Sequence, residues 1–332
     1  MASLHDVALL AGVSKSTVSR VINDEYGVKE ATKVKVRKAI DECGYLPNQV
    51  AKDLKSQKTN LVGVIVPRVA SNASGQGIDG LSHVFETCGK HVLLANSQLD
   101  YRKEIDFIQL FNQKRVEGII LYATHIDAQL VDAIKLSRVP VVLVGQDGSL
   151  FGVPSVIHDD VRVGFRAALR LVQAGAKNIG FIGVTSQDIA VDQLRYQGLS
   201  QGMQHAGLGE PLFHSRGEFA IDSGKQQVLE LIKQYPDLDG LFCATDRIAI
   251  GAIQGLSEAG KHVGKEVKVL GVGDDELACV VSPQLSTFNY PFDKAGEMAA
   301  KVLLELIEGK PQIMSKHVLS FTEVDRQTCK SS

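Results

Sequence analysis

From residue 61 onward, short apolar runs alternate with segments of helical period. The runs lie at 61–66, 91–95, 118–122, 139–144, 155–157, 179–183, 240–244 and 267–271. Between them, helical patterns cover 77–88, 103–114, 128–136, 161–174, 192–206, 224–234 and 248–259. Continuous apolar strands joined by helices indicate parallel sheets covered on both faces, an α/β body. So many strands in about 210 residues suit two doubly wound lobes better than one sheet. Ligands in such sheets bind beyond the carboxyl ends of the strands, so the cleft between lobes is the expected site.

The first 46 residues carry a different, all-helical pattern. A short amphipathic helix over 6–11 stops at Gly12. Ser14 offers a cap for a second helix over 15–21. A third runs over 30–43, with Val34, Val36, Ala39 and Ile40 as its predicted buried face and Gly44 at its C-terminal stop. The stretch 47–58 is short and weakly apolar, and reads as a hinge. The expected division is therefore a helix-turn-helix head over 1–46, a hinge over 47–58 and a body over 59–332. Within the body, one lobe spans about 59–159 plus 289–318, and the other about 160–288 plus 319–329.

Ala8, Gly12 and Val18 have the spacing of a bihelical DNA-reading motif. The small residue lets two helices cross closely, and the glycine permits a left-handed turn. The second helix would then present Lys15, Ser16, Ser19 and Arg20, donors for phosphates or base edges. The alternative is a three-helix domain with a generic polar face. Formal net charge is −2, which by itself argues against a nucleic-acid partner. The charge is unevenly placed, however. Residues 1–58 hold ten Lys and Arg against seven Asp and Glu, a net of +3, and the remainder is net −5. A basic head on an acidic body fits phosphate contact at one end.

Composition narrows the remaining classes. The five cysteines include no CxxC pair, so neither a disulfide framework nor a metal site is expected. No run of about 18 uncharged apolar residues suggests a membrane span, and the start lacks a secretory layout, so a cytoplasmic protein is expected. The stretch 255–262 approaches a P-loop, but His262 replaces the Mg²⁺-binding hydroxyl and the Gly-Lys pair follows a helix. The string Gly198-Leu199-Ser200-Gln201-Gly202 spells GxSxG but lies inside the predicted helix 192–206 and not at a strand-to-helix elbow, and no HExxH motif occurs, so no enzyme and no cofactor are expected.

Val7-Ala8, Ala11-Gly12-Val13-Ser14, Thr17-Val18-Ser19-Arg20-Val21-Ile22-Asn23, Gly44-Tyr45 and Pro47-Asn48 form a dense, ungapped series that resembles the head of the lactose/galactose repressor (LacI/GalR) family. The resemblance continues more loosely to about residue 320. It is carried by the first body strand at 61–67, by Arg115-Val116-Glu117-Gly118-Ile119-Ile120, by Arg195 with Gly198, and by Ala244-Thr245-Asp246. Within the family, the head and the first body segments look most similar to repressors of sucrose or β-fructoside use.

The resemblance implies a DNA-binding repressor with a periplasmic-binding-protein-like body and a small effector, a sugar first. A purine, nucleotide or sugar phosphate stays open as effector, and a sugar transport protein is a remote alternative. Lys15 and Ser16 would choose the operator, Arg20 would contact a base, and Thr17 and Ser19 would touch backbone. Asn23 would be either a DNA contact or a helix cap. Asn48, Ala51 and Leu54 would belong to a hinge helix, with Leu54 wedged into the minor groove from each subunit of a homodimer. No leucine heptads follow the body, so the family's tetramerising tail is expected to be absent.

The chemistry of a sugar fits the implied effector site. Arg195 could donate to two hydroxyls, Asp246 could accept two, and Phe219 could pack on C–H groups. Asn72, Ser74, Gln76, Tyr122 and Thr124 are candidates from the first lobe. The family often places an aspartate after its fourth body strand. Here Gly145 stands in that place, leaving the contact to Gln146 or Asp147. The chain also lacks the family's usual aromatic and first acidic residue around 271–274.

Overall fold

The computed structural model describes residues 2–45, 59–310 and 314–330. The predicted hinge residues Asn48, Ala51 and Leu54 lie outside them. The chain divides into two compact units, 1–59 and 60–332.

The first unit holds α1 (Leu4–Ala11), α2 (Lys15–Ile22) and α3 (Glu30–Cys43). Ser3 and Asp6 form a capping box on α1, and Ser14 caps α2 by accepting from the Thr17 N–H. Gly12 takes φ 65°, the left-handed turn its position requires. Val7, Ala8, Val18, Val21, Val36 and Ala39 make the core. Val34 departs from the predicted face and is 58% exposed. It lies two residues, about 200°, from Val36, and so on the opposite side of α3.

The second unit is a body of two lobes, each built on a six-stranded sheet. The first sheet contains β1 (Leu61–Val66), β2 (His91–Asn96), β3 (Ile119–Tyr122), β4 (Val141–Val144), β5 (Ser155–His158) and β11 (Lys316–Leu319). Its spatial order is β11-β5-β4-β3-β1-β2, all parallel. The second contains β6 (Ile179–Gly183), β7 (His214–Arg216), β8 (Gly240–Cys243), β9 (Lys268–Val272), β10 (Ser286–Asn289) and β12 (Thr322–Val324). Its order is β12-β10-β9-β8-β6-β7, parallel except for β12 against β10.

The intervening helices are α4 (Asn72–Thr87), α5 (Tyr101–Gln113), α6 (Ala128–Lys135), α7 (Asp160–Gln173), α8 (Arg195–His205), α9 (Ile221–Gln234), α10 (Asp246–Glu258), α11 (Leu277–Val280) and α12 (Phe292–Ile307). Strands β7, β10, β11 and β12 and helices α11 and α12 fall outside the predicted set. The strands escape because they are short and polar: β7 reads His-Ser-Arg and β10 reads Ser-Thr-Phe-Asn. In contrast, α12 has an open helical period, with Ala295, Ala299, Val302 and Leu303 buried against the first sheet. That period is legible in the sequence alone.

The chain crosses between lobes three times, after β5, after β10 and after β11. The crossovers are short, and their side chains converge. His158 stacks on Tyr290 with ring centroids 4.2 Å apart, Phe292 meets both edge-on, and Phe321 closes on Tyr290 at 6.4 Å. Of this aromatic cluster, His158, Tyr290 and Phe292 line the cleft.

Candidate functional site

Two adjoining chambers lie between the lobes, of about 170 and 160 Å³, and a mouth of about 520 Å³ opens beside them. Each chamber falls below the roughly 300–1,000 Å³ of a drug-sized pocket, so the inner space suits a small ligand.

Arg195 stands at the first chamber's floor and opens α8. It is only 6% exposed. Its Nε donates to Asp160 Oδ1 at 2.7 Å, and its Nη1 donates to the Ala244 carbonyl. Tyr290 donates its hydroxyl to the same Asp160 oxygen at 2.8 Å, and the guanidinium lies over the Tyr290 ring. Burial by itself would lower the arginine pKa, but the Asp160 carboxylate carries it above the ordinary value, so the charge is fixed. The cleft arginine is thereby tied to two interlobe crossovers through one carboxylate. The close approach of α7 and α8 makes this possible. A Cβ on Gly164 would overlap the Arg195 carbonyl, and one on Gly198 would overlap that of Val161.

A six-residue π-helical turn, Ile189–Leu194, precedes Arg195. Such turns recur at functional sites. Asp192 within it is fully buried and accepts from the Val184 N–H, His214 Nε2 and Arg216 Nε, which pins the turn to β6 and β7. Asp188 caps the turn by accepting from the Val191 N–H.

Among the described residues, three hydrogen bonds join the lobes across the cleft. Arg68 Nη1 donates to the Phe219 carbonyl at 2.8 Å, Gln146 Nε2 donates to Asp188 Oδ1 at 2.8 Å, and His125 Nδ1 meets the Gln187 carbonyl at 3.1 Å. Burial pushes the Asp188 pKa up to about 6, against its bonds from Val191 and Gln146 and the nearby Arg195 charge. His158 is pushed down to about 3 by burial and by Arg195, so its ring is neutral.

The predicted residues sort clearly. Arg195, Phe219, Ser74, Tyr122, Thr124 and Gln146 line the first chamber. Asn72 and Asp246 line the second, with Arg195 and Phe219 shared. Asp246 is largely engaged inside the protein. Its Oδ1 accepts from the Thr287 hydroxyl at 2.5 Å and its Oδ2 from the Asp275 N–H at 2.7 Å, and burial raises its pKa to about 7. Two expectations are corrected. Gln76 does not line the cleft; it donates to Asn72 Oδ1 along the same helix. Asp147 turns away, accepting from Ser149 and pairing with Lys316 at 2.9 Å, because Gly145 at φ 90° redirects the chain after β4.

Sequence reading missed Arg68, His158, Asp160, Asp188 and Tyr290. Only position relative to strand ends could have found them, and β10, which leads to Tyr290, carries too little apolar signal. The cleft also collects unsatisfied polarity. Asn72 Nδ2, Tyr122 Oη and His158 Nδ1 are buried without a protein partner, and all three residues line the chambers. Each such group costs about 1–3 kcal/mol until it is paired.

In the head, α2 exposes Lys15, Ser16 and Arg20, and half-buries Thr17, Ser19 and Asn23. The hydroxyls of Ser16 and Thr17 lie 2.7 and 2.9 Å from Ser14 Oγ. Asn23 is the C-cap of α2 and its amide reaches Ser19 Oγ at 3.4 Å, which supports the capping reading of that residue.

A bihelical DNA-reading head and a two-lobed, periplasmic-binding-protein-like body define a class of transcription regulator. Residues 3–48 match the family model of bacterial regulatory proteins, lacI family, and residues 168–329 match the periplasmic binding protein-like domain. The chain is 35% identical over 308 residues to the sucrose operon repressor of Staphylococcus xylosus, covering 93% of this chain and 94% of that one. Among solved structures it resembles the lac repressor dimer bound to operator and the anti-inducer ONPF. That likeness has a TM-score of 0.90, 25% identity and 99% of both chains covered. It also resembles the transcriptional regulator CelR–cellobiose complex, with a TM-score of 0.75, 28% identity, and 99% and 100% covered. The chain belongs to the LacI family, and is a DNA-binding transcriptional repressor of that family. Among the described residues, no helix is long and apolar enough to cross a membrane.

Proposed function

We propose that this repressor controls a sugar-utilisation operon, and that a small sugar, sucrose or fructose first, binds in the interlobe cleft and releases it from a palindromic operator. One observation carries the effector site: three residues that hold buried polar atoms without protein partners, Asn72, Tyr122 and His158, line the same small cleft as a fixed guanidinium. A polyhydroxylated ligand supplies donors and acceptors to such atoms at once, where an apolar ligand would leave them unpaired. The likeness to a sucrose operon repressor and to a cellobiose complex favours a sugar over a purine.

The head reads the operator through the exposed face of α2, with Arg20 at a base edge, Lys15 and Ser16 choosing the sequence, and Thr17 and Ser19 near the backbone. The protein acts as a homodimer, since a palindrome mirrors a two-fold protein. Leu54 enters the minor groove from each subunit, with Ala51 letting the paired hinges approach and Asn48 opening the segment. Ligand in the cleft contacts Arg195, which is tied through Asp160 and Tyr290 to the interlobe crossovers. Its differential affinity for two lobe arrangements then sets operator affinity.

A thermal-shift series of the purified protein with sucrose, fructose, their phosphates and purines tests the effector. A sugar at a hundredfold excess over its dissociation constant adds about 2.7 kcal/mol of stability. Arg195→Ala should abolish that shift and leave operator binding intact. A shift confined to purines or phosphorylated sugars overturns the effector, and an undiminished shift in Arg195→Ala overturns the site.

A further inference from the structure

Asp160, Asp188, Asp246, Asp275 and Glu218 line the cleft. Asp160 is held by Arg195 and Tyr290, and Asp188 and Asp246 differ in what their oxygens already hold. Asp246, the acidic residue singled out from sequence, has one internal donor on each oxygen. Asp188 places both of its bonds on Oδ1, from Gln146 Nε2 at 2.8 Å and from the Val191 N–H at 3.1 Å. Among the described residues, its Oδ2 accepts no hydrogen bond. Asp188 lines both the first chamber and the mouth, whereas Asp246 lines only the second chamber. The π-helical turn holds Asp188 in place, and Asp192 anchors that turn from behind.

Resting on the cleft being the effector site, we propose that Asp188 is the residue that determines which effector this chain accepts. Its Oδ2 takes a hydrogen bond from a ligand hydroxyl while its Oδ1 keeps Gln146 of the opposite lobe. The group read there must be a donor. A phosphate or carboxylate brought to that oxygen meets like charge, and a keto oxygen meets a second acceptor. The carboxylate that reads the ligand is therefore also the one that holds the lobes together. A ligand lacking a hydroxyl at this point neither binds well nor supports the closed arrangement. Asp246 becomes a positioning residue, which fixes the end of β9 and the start of α10 through Thr287 and the Asp275 N–H.

Isothermal titration of the full-length protein with fructose and with sucrose tests this. Wild type, Asp188→Asn and Arg195→Ala are compared. Asparagine keeps the cap and an acceptor for Gln146, but replaces the free oxygen by an NH₂ that cannot accept. Wild type should bind at least one of the two sugars. Asp188→Asn should bind it about ten- to hundredfold more weakly, while its melting temperature in the absence of sugar is no lower than that of wild type. Wild-type affinity in Asp188→Asn, with binding lost in Arg195→Ala, overturns this inference and leaves the cleft reading standing. Unchanged binding in Arg195→Ala removes the cleft reading itself. If wild type binds neither sugar, the neutral donor assigned to Asp188 is wrong.

Discussion

Glu104 shows how much of this cleft's behaviour is set by single buried groups. It is fully buried on α5 behind the first chamber, and Thr124 donates to its Oε1 at 2.9 Å. Burial raises its pKa from 4.5 to about 7, against bonds from Thr124 and Ser97 and with the help of the Asp188 charge. A carboxyl whose folded pKa is raised contributes its full stability below the unfolded value and loses it as pH rises through the folded value. Wild type should therefore lose stability relative to Glu104→Gln between about pH 4.5 and 7. The difference should level off above pH 7 near about 3 kcal/mol. Denaturant melts at pH 5 and pH 8 measure it, and equal gaps at the two pH values contradict the assignment. On the same scale, Arg195→Ala should remove the ligand-induced thermal shift, since its planar charge is held by Asp160 and by the Ala244 carbonyl.

Elements turn these residues into a site through close packing. Helices α7 and α8 touch backbone to backbone because Gly164 and Gly198 face each other's neighbours. Gly198→Ala must push the pair apart, at a cost of about 1–3 kcal/mol or more, and should weaken sugar binding by misplacing Arg195 against Asp160. Unaltered stability and affinity in that variant would contradict the packing account. Sequence made this region readable in part. The Arg-x-x-Gly spacing, the strands at 61–66 and 179–183, and the Asp246 start of α10 all stand where their patterns indicated. What escaped has physical reasons. The glycines at 75 and 77 masked the true start of α4 at Asn72, and Asp188 sits in a turn whose π-helical period matches no simple template. Tyr290 and Phe321 belong to crossovers, where meaning comes from two sheets meeting and not from local pattern. Gln76 and Asp147 were drawn in by adjacency to strand ends, and only the turn geometry shows that they face elsewhere.

At the scale of the molecule, a net-acidic body and a basic head assign their partners separately. The net charge of +3 over the first 58 residues against −5 over the rest assigns phosphate contact to the head on the proposed reading, so operator affinity should fall steeply with salt while sugar affinity should not. Arg20→Ala should cost about 1–3 kcal/mol on a specific duplex and relax preference at one base pair. Leu54→Ala should weaken specific binding more than nonspecific binding, because its wedge serves only the bent complex. Equal losses on both duplexes would remove that role.

Release of DNA by ligand is the property that joins the cleft to the head. It is tested most directly by anisotropy of a labelled operator, recovered by selection from a random duplex pool, titrated with full-length protein with and without saturating fructose or sucrose. The expected result is a palindromic operator whose affinity drops at least tenfold with one of these sugars in wild type, and does not change with sugar in Arg195→Ala. An operator affinity unmoved by either sugar, or lowered equally in both proteins, would contradict it.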